Sequence, residues 1–251
     1  MKAILHQFLG GDGLESISPP CLRVGMALSC LGVDYELENL RSPGQIRAIS
    51  RTGRLPVLEI EGQKIPDSAT ILDYLEARYP QGGLFPKDPA ARRRSELWEC
   101  YGNDHLYWCG YYLRWVDPEM TADFLDALVG RASAVQKFVV KNVLVPRQRK
   151  RALAVGIAGK TRDEILATMA RGFEMVEEAL ESAPFLSGLD FPGRGDLAIT
   201  SLFVQMGFRQ SMKVPAEEYG KRKVLMAYAA RVYDACKMEK PRWIAENLAD
   251  S

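Results

Sequence analysis

The pattern of residues changes character between residues 80 and 90, and this change constrains the fold more than any other feature. Before it, stretches with the two-residue alternation of strands are interleaved with stretches of helical periodicity. The segment itself is dense in proline and glycine, which is typical of a linker. Beyond it, apolar residues recur at helical spacing and no stretch predicts a strand. We therefore expect two domains, a small α/β domain over 1–81 and an all-helical domain over 90–251.

The first eighty residues predict the order β-α-β-α-β-β-α. The elements are, along the chain, a strand at 3–8, a helix from Pro19, a strand at 33–37, a short helix within 41–51, a hairpin around Glu61-Gly62 and a helix after Ser68. A strand–helix–strand unit followed by a hairpin and a helix makes a small sheet with helices packed on it.

Composition excludes several classes of protein. The 251 residues include 33 Lys and Arg against 32 Asp and Glu, so the net charge of +1 predicts no nucleic-acid partner and no membrane partner. The five cysteines form no C-x-x-C pair and there are only two histidines, so we predict no metal site and a reducing, cytoplasmic setting. One of the longer uncharged runs, 197–208, is well below the ~20 residues that span a bilayer.

Ser18-Pro-Pro-Cys21 lies between the first predicted strand and the first predicted helix. Unpaired main-chain N–H groups and the helix dipole favour an anion at such a point. The hydroxyl of Ser18 could donate a hydrogen bond to a thiolate that a ligand supplies. Ser18 could equally be a simple helix cap, since serine is common there. Cys21 could be a nucleophile itself, although a cysteine one turn inside a helix is more often buried and inert.

Four segments together resemble the glutathione S-transferase superfamily, in its serine-type classes. They are Ser18-Pro-Pro-Cys-Leu-Arg-Val-Gly, Gly53-Arg-Leu-Pro56, Pro66-Asp-Ser68-Ala-Thr-Ile-Leu and the linker Leu84-Phe-Pro. The resemblance covers nearly all of residues 1–90 in the right order. It implies a thioredoxin-like α/β N-terminal domain, an all-α C-terminal domain and glutathione as co-substrate.

The resemblance also implies roles for individual residues. It assigns activation of the glutathione thiol to Ser18, a cis peptide bond to Pro56, main-chain contacts with the cysteinyl unit to Leu55, the γ-glutamyl end to Asp67 and Ser68, and the glycyl carboxylate to Arg54. The loop from Leu9 to Ile17 is longer and richer in glycine than the family pattern. Ser16 therefore stays an alternative to Ser18.

The helical domain carries an aromatic stripe that includes Tyr101, Trp108 and Tyr112. In the family this helix faces the sulfur, so these residues are predicted to line the pocket for the electrophile; the alternative is a plain helix-bundle core. Residues 147–180 resemble metaxin-like and axon-connection-type members, several of which are regarded as binding or sorting proteins.

We expect a homodimeric enzyme that joins the glutathione thiolate to a small hydrophobic electrophile. The alternative is a non-catalytic binding or scaffold protein with the same fold.

Overall fold

The computed structural model describes residues 2–11, 13–129, 133–207 and 212–249. Asp12 of the glycine-rich loop and Phe208 at the end of the uncharged run lie outside the described residues.

Four strands form one mixed sheet in the order β2-β1-β3-β4. Their bounds are Ala3–Gln7 for β1, Tyr35–Asn39 for β2, Val57–Ile60 for β3 and Gln63–Pro66 for β4. Strand β1 runs parallel to β2 and antiparallel to β3, and β3 and β4 make the predicted hairpin. Leu5 and Leu58 are opposite each other in the two central strands and are fully buried, so the centre of the sheet anchors the core.

Three helices pack against this sheet: α1 Pro19–Cys30, α2 Pro43–Ile49 and α3 Ser68–Arg78. Helix α1 begins with two prolines, which the first turn tolerates because its N–H groups lack helical partners. The side chain of Asp67 caps α3, with its Oδ1 accepting from the N–H groups of Ala69 at 3.0 Å and Thr70 at 3.2 Å.

The rest of the described chain is helical, and no strand follows β4 within it. The helices are α4 Pro89–Cys100, α5 Tyr107–Trp115, α6 Pro118–Val129, α7 Ala134–Val139, α8 Val145–Ala154, α9 Arg162–Leu180, α10 Arg194–Met206, α11 Lys213–Gly220, α12 Lys223–Ala235 and α13 Arg242–Ala249. A capping box of Thr161 and Glu164 starts α9. The fold is therefore a thioredoxin-like domain followed by a helical domain, as predicted, while the exact limits 1–81 and 90–251 stay a prediction.

Helix α10 is the central helix of the second part and is almost wholly buried. It packs between α4 and α1, which joins the two parts of the chain. Asp196 fastens its first turn: the carboxylate accepts from the N–H groups of Gly193 at 2.8 Å and Leu186 at 2.7 Å and from the hydroxyl of Tyr228 at 2.8 Å. Gly193 thus serves as the helix cap.

A π-helical turn, Tyr101–Leu106, joins α4 to α5. A second one, Val140–Leu144, joins α7 to α8. Each turn widens the helix locally, so a regular helical spacing does not continue across it. Among the described helices, none combines the length and the apolar character needed to cross a bilayer.

Candidate active site

The glycine-rich loop before α1 is fastened to the end of β1. The Ser16 hydroxyl donates to the Phe8 carbonyl at 2.7 Å, and its oxygen accepts from the Ser18 N–H at 3.3 Å. Ser16 is fully buried. Gly10 is required here because a Cβ would come within 1.9 Å of the Leu14 carbonyl oxygen. The extra length of the loop is thus packed structure that sets where α1 begins.

Ser18 is the residue immediately before α1 and is half-buried. Its side chain caps none of the helix amides. Pro19 and Pro20 have no N–H to offer, and the N–H of Leu22 is taken by the Ser18 carbonyl at 2.9 Å. The N–H of Cys21 has no acceptor among the described residues. The helix start therefore presents one main-chain N–H and a hydroxyl that caps no helix amide.

The Cys21 thiol lies against the hydroxyls of Ser18 and Ser16, inside the protein. Burial raises the pKa of this thiol to about 11, and the nearby hydroxyls only partly oppose the shift. Cys21 is therefore a neutral thiol at pH 7, which disfavours a role as nucleophile.

Leu55 and Pro56 lie beside the start of α1. Cys21 and Leu55 belong to one buried cluster together with Leu40 and Val57. The Leu55–Pro56 peptide bond is cis, which confirms the prediction. The N–H and C=O of Leu55 have no hydrogen-bond partner in the described part of the chain. They are the free main-chain groups that an extended ligand would pair with.

Asp67 and Ser68, the predicted residues for the γ-glutamyl end, lie beside the Leu55–Pro56 turn. The Pro56 carbonyl accepts from the Asp67 N–H at 3.2 Å, which brings the start of α3 next to the cis bond. Asp67 is exposed and has a φ of 73°, a conformation that Asp and Asn tolerate better than most residues. Ser68 is only 5% exposed, and its N–H has no acceptor among the residues described. Arg54 is exposed on the preceding loop, and its N–H donates to the Ser50 hydroxyl at 3.2 Å.

A buried arginine that the sequence did not single out holds Ser68. Arg23 Nη2 donates to the Ser68 hydroxyl oxygen at 2.5 Å. Because a guanidinium has donors only, the Ser68 oxygen must accept here. The Ser68 hydroxyl hydrogen is therefore not used in the bond with Arg23.

Arg23 lies in an ion network that crosses from the sheet domain to the helical domain. Its Nη1 donates to Asn103 Oδ1 at 2.6 Å and to Glu99 Oε1 at 3.2 Å. The other oxygen of Glu99 accepts from Arg194 Nε at 2.5 Å, and Arg194 Nη1 reaches Asp73 of α3 at 2.6 Å. Burial lowers the pKa of Arg23, and Glu99 is the largest opposing influence. Glu99 therefore pairs with two arginines at the junction of α1, α3, α4 and α10, and Asp73 is a second partner of Arg194.

The three predicted pocket residues do not lie in one cluster. Tyr112 is buried in the main core, and half-buried Tyr101 packs against the same core and stacks on His105 with ring centroids 5.3 Å apart. Trp108 borders a second cluster and lies under the guanidinium of Arg151, which is 5.1 Å from its ring centroid. Trp108 and Tyr112 are four residues apart on α5 and still pack against different clusters, so the predicted stripe is divided between two parts of the helical domain.

Comparison with known proteins agrees with this geometry. Residues 16–83 match the family model described as glutathione S-transferase, N-terminal domain. Failed axon connections of Drosophila melanogaster is 25% identical over 246 residues, which are 92% of this chain and 57% of that protein. Maleylacetoacetate isomerase of Pseudomonas aeruginosa is 38% identical over 82 residues, 29% of this chain and 39% of that protein. The chain thus spans roughly half the length of these two relatives or less.

The beta-etherase LigF from Sphingobium sp. strain SYK-6 has a similar structure. Its TM-score is 0.68 at 20% identity, and the match covers 100% of both chains. At this identity the likeness establishes the fold. Residues 16–83 are thus similar in sequence to the N-terminal domain of glutathione S-transferases, and the fold that goes with that domain extends over the whole chain.

Proposed function

We propose that the protein binds glutathione along the start of α1, the Leu55–Pro56 turn and the start of α3, and joins its sulfur to a small hydrophobic electrophile. Ser18 is the residue that stabilises the thiolate. No covalent enzyme intermediate is required, because the bound glutathione is itself the nucleophile.

The proposal rests on a difference between the hydrogen bonds of the Ser16 and Ser18 hydroxyls. The Ser16 hydrogen is used by the Phe8 carbonyl inside the protein, so it is not available to a ligand. The Ser18 hydroxyl is half-buried, and its neighbour Cys21 stays protonated. A protonated thiol can donate to the Ser18 oxygen, which leaves the Ser18 hydrogen for a thiolate. These observations favour Ser18 over Ser16 for the role that the sequence left open between them.

The other groups fit the two ends of glutathione. The Ser68 N–H and hydroxyl, at the start of a helix, suit the γ-glutamyl carboxylate. Asp67 uses Oδ1 to cap the helix, and its Oδ2 has no hydrogen-bond partner among the described residues, which suits the ligand's ammonium. The free main chain of Leu55 suits the cysteinyl unit. Exposed Arg54 is our candidate for the glycyl carboxylate.

The chemistry follows from these contacts. The Ser18 hydroxyl and the Cys21 N–H lower the pKa of the bound thiol, because both favour its charged form. The thiolate then attacks an electrophilic carbon held beside it, and the gain comes from proximity and orientation. Half-buried Tyr101 and Trp108 keep an apolar body with a polar tip near the surface, which suits a hydrophobic substrate. Buried Tyr112 would form the apolar floor of this substrate pocket.

We also propose that the protein is a homodimer and works in the cytoplasm. The free state of all five cysteines supports a reducing compartment. Exposed Leu97 on α4 supports a contact with a second copy.

The proposal is tested with glutathione calorimetry and with the general electrophile chlorodinitrobenzene. In Ser18→Ala we expect the conjugation rate to fall by roughly 10- to 100-fold, the scale of a lost bond to a charged group, with little change in glutathione affinity. The thiol pKa in the complex should rise. Ser16→Ala is the matched control, because it removes a hydroxyl two residues away and should lower thermal stability but not the rate of the folded enzyme.

Two outcomes would contradict the proposal. An unchanged rate and thiol pKa in Ser18→Ala would move the role to main-chain N–H groups or to Ser16. No glutathione binding and no turnover in the unmutated protein would favour the non-catalytic binding or scaffold alternative.

A further inference from the structure

The near-neutral charge of the whole chain conceals a long segment without acidic residues. Residues 133–160 contain seven Lys and Arg and no Asp or Glu. They form a continuous helical segment through α7, the second π-helical turn and α8, followed by a short turn. The local charge is therefore strongly positive, although the protein as a whole carries +1.

The same segment exposes large apolar side chains. The described residues include twelve exposed large hydrophobic side chains, and six of them lie within 135–155. Val135 is 72% exposed, Phe138 66% and Val143 58%. Val135, Phe138 and Val139 follow one another at helical spacing, so they share one side of α7, and Val143 is exposed in the π-helical turn that follows. We call residues 133–155 the cationic apolar surface.

The C-terminal half of this surface is fixed to the helical domain. Val145 and Ala152 are buried against the aromatic residues of α5. Arg149 Nε donates to the Trp115 carbonyl at 3.0 Å, and the Arg151 guanidinium lies over the Tyr111 ring at 5.3 Å. These contacts hold the segment in place while α7 projects with all its side chains exposed.

Four further cations of this surface make no ion pair within the described part of the chain. Lys137, Lys141, Arg147 and Lys150 are exposed, and none of them forms an ion pair with any residue that the structure describes. Exposed apolar groups beside unneutralised lysines fit a partner that is both apolar and negatively charged. A second copy of this face would bring like charges together, and a nucleic acid would leave the valines and Phe138 in water.

We propose that the cationic apolar surface docks the protein onto a membrane leaflet rich in anionic phospholipid, with the helix lying in the plane of the interface. Phe138, Val139 and Val143 enter the boundary between headgroups and acyl chains, and the lysines contact the lipid phosphates. The whole-chain charge led to the expectation of no membrane partner, and the proposal departs from that expectation because the local charge differs from the average. The inference does not depend on glutathione binding.

The test is flotation of the full chain with large unilamellar vesicles. We compare vesicles of phosphatidylcholine alone with vesicles that contain about 30 mol % phosphatidylserine. We expect binding only to the second kind, and less binding as salt rises from about 0.1 M to about 0.5 M. Lys137→Glu/Lys141→Glu and, separately, Phe138→Asp should each reduce binding by roughly tenfold or more.

Matched variants keep the test specific. Arg41→Glu/Arg51→Glu makes the same change in net charge at two exposed residues of the sheet domain, and Val224→Asp adds a charge at an exposed valine of α12. Both controls should bind vesicles as the unmutated protein does. The proposal is overturned by absent binding, by equal binding to both vesicle types, or by equal losses in the controls. It is also overturned if Phe138→Asp halves the mass measured by light scattering without lipid, which would make this face a contact between copies.

Discussion

Arg23 Nη2 lies 2.5 Å from the Ser68 hydroxyl oxygen, and this bond links the helix that begins after Ser18 to the helix that begins at Ser68. In the proposed complex Ser18 binds the glutathione thiolate and Ser68 binds the γ-glutamyl carboxylate. Their relative position therefore depends on a buried arginine, and that arginine depends on Glu99.

Glu99→Gln should destabilise the protein strongly. It leaves Arg23 and Arg194 without their shared carboxylate in a buried interface, and breaking such a pair typically costs about 3–5 kcal/mol. Glu96→Gln is the matched control on the same helix, because Glu96 pairs with Arg92 at the surface and such pairs contribute about 0–1 kcal/mol. Urea unfolding measures both. Equal free energies of unfolding for the two variants would show that the network contributes little.

Asp67 has two roles that substitutions can separate. Asp67→Asn keeps an excellent helix cap and tolerates the positive φ, but removes the charge, so glutathione affinity should fall by roughly tenfold with little change in melting temperature. Asp67→Ala should lower both, because the cap is lost too. Calorimetry and thermal unfolding give the two readings. Unchanged affinity in the folded Asn variant would mean that the γ-glutamyl end binds elsewhere.

Asp196 should make stability fall as pH rises from about 4 to about 6. Burial raises its pKa from 3.8 to about 6, and the hydrogen bonds from Gly193, Leu186 and Tyr228 only partly offset this. The folded state therefore holds the proton more tightly than the unfolded state. The resulting contribution to stability is complete below the unfolded pKa and is lost as pH rises through the folded pKa, at about 1.4 kcal/mol per pKa unit.

Asp196→Asn isolates this effect, because it cannot titrate. The free energy of unfolding of the unmutated protein minus that of the variant should shrink between pH 4 and pH 7, while contributions from other groups cancel. A difference that grows with pH would show that hydrogen bonding to the carboxylate outweighs burial.

Leu97 should mark the contact between two copies. It is 70% exposed on α4. Among the described residues outside the cationic apolar surface, no other large apolar side chain is as exposed. Leu97→Glu should convert a dimer to a monomer of about half the mass in light scattering, because a buried unpaired charge is costly. A dimer that persists in this variant would place the contact elsewhere.

Much of the N-terminal domain could be predicted because its signals are local. The strand at Ala3–Gln7, the helix that starts at Pro19 and the hairpin of β3 and β4 all follow from neighbouring residues. The predicted second strand, 33–37, differs from the observed Tyr35–Asn39 because alternation does not fix where hydrogen bonding to β1 begins.

The ion network could not be predicted because its partners are distant in sequence. Arg23 and Glu99 are 76 residues apart, and each alone looks like an ordinary charged residue of a helix. The division of the aromatic residues between two clusters could not be predicted either, because Trp108 packs against α8, whose Arg151 is distant in sequence. The hydrogen bond from the Ser16 hydroxyl to the Phe8 carbonyl could not be predicted either, because only the folded loop brings the two groups together.

The Glu99 carboxylate, which pairs with Arg23 and Arg194, also affects what a truncated fragment of this protein would contain. The cation that orients Ser68 belongs to the sheet domain, but the anion that neutralises it belongs to the helical domain. A fragment cut in the 80–90 linker would carry Arg23 without its counter-ion and with the face that α10 covers open to water. The proposed glutathione site therefore depends on ion pairs between the two halves of the chain.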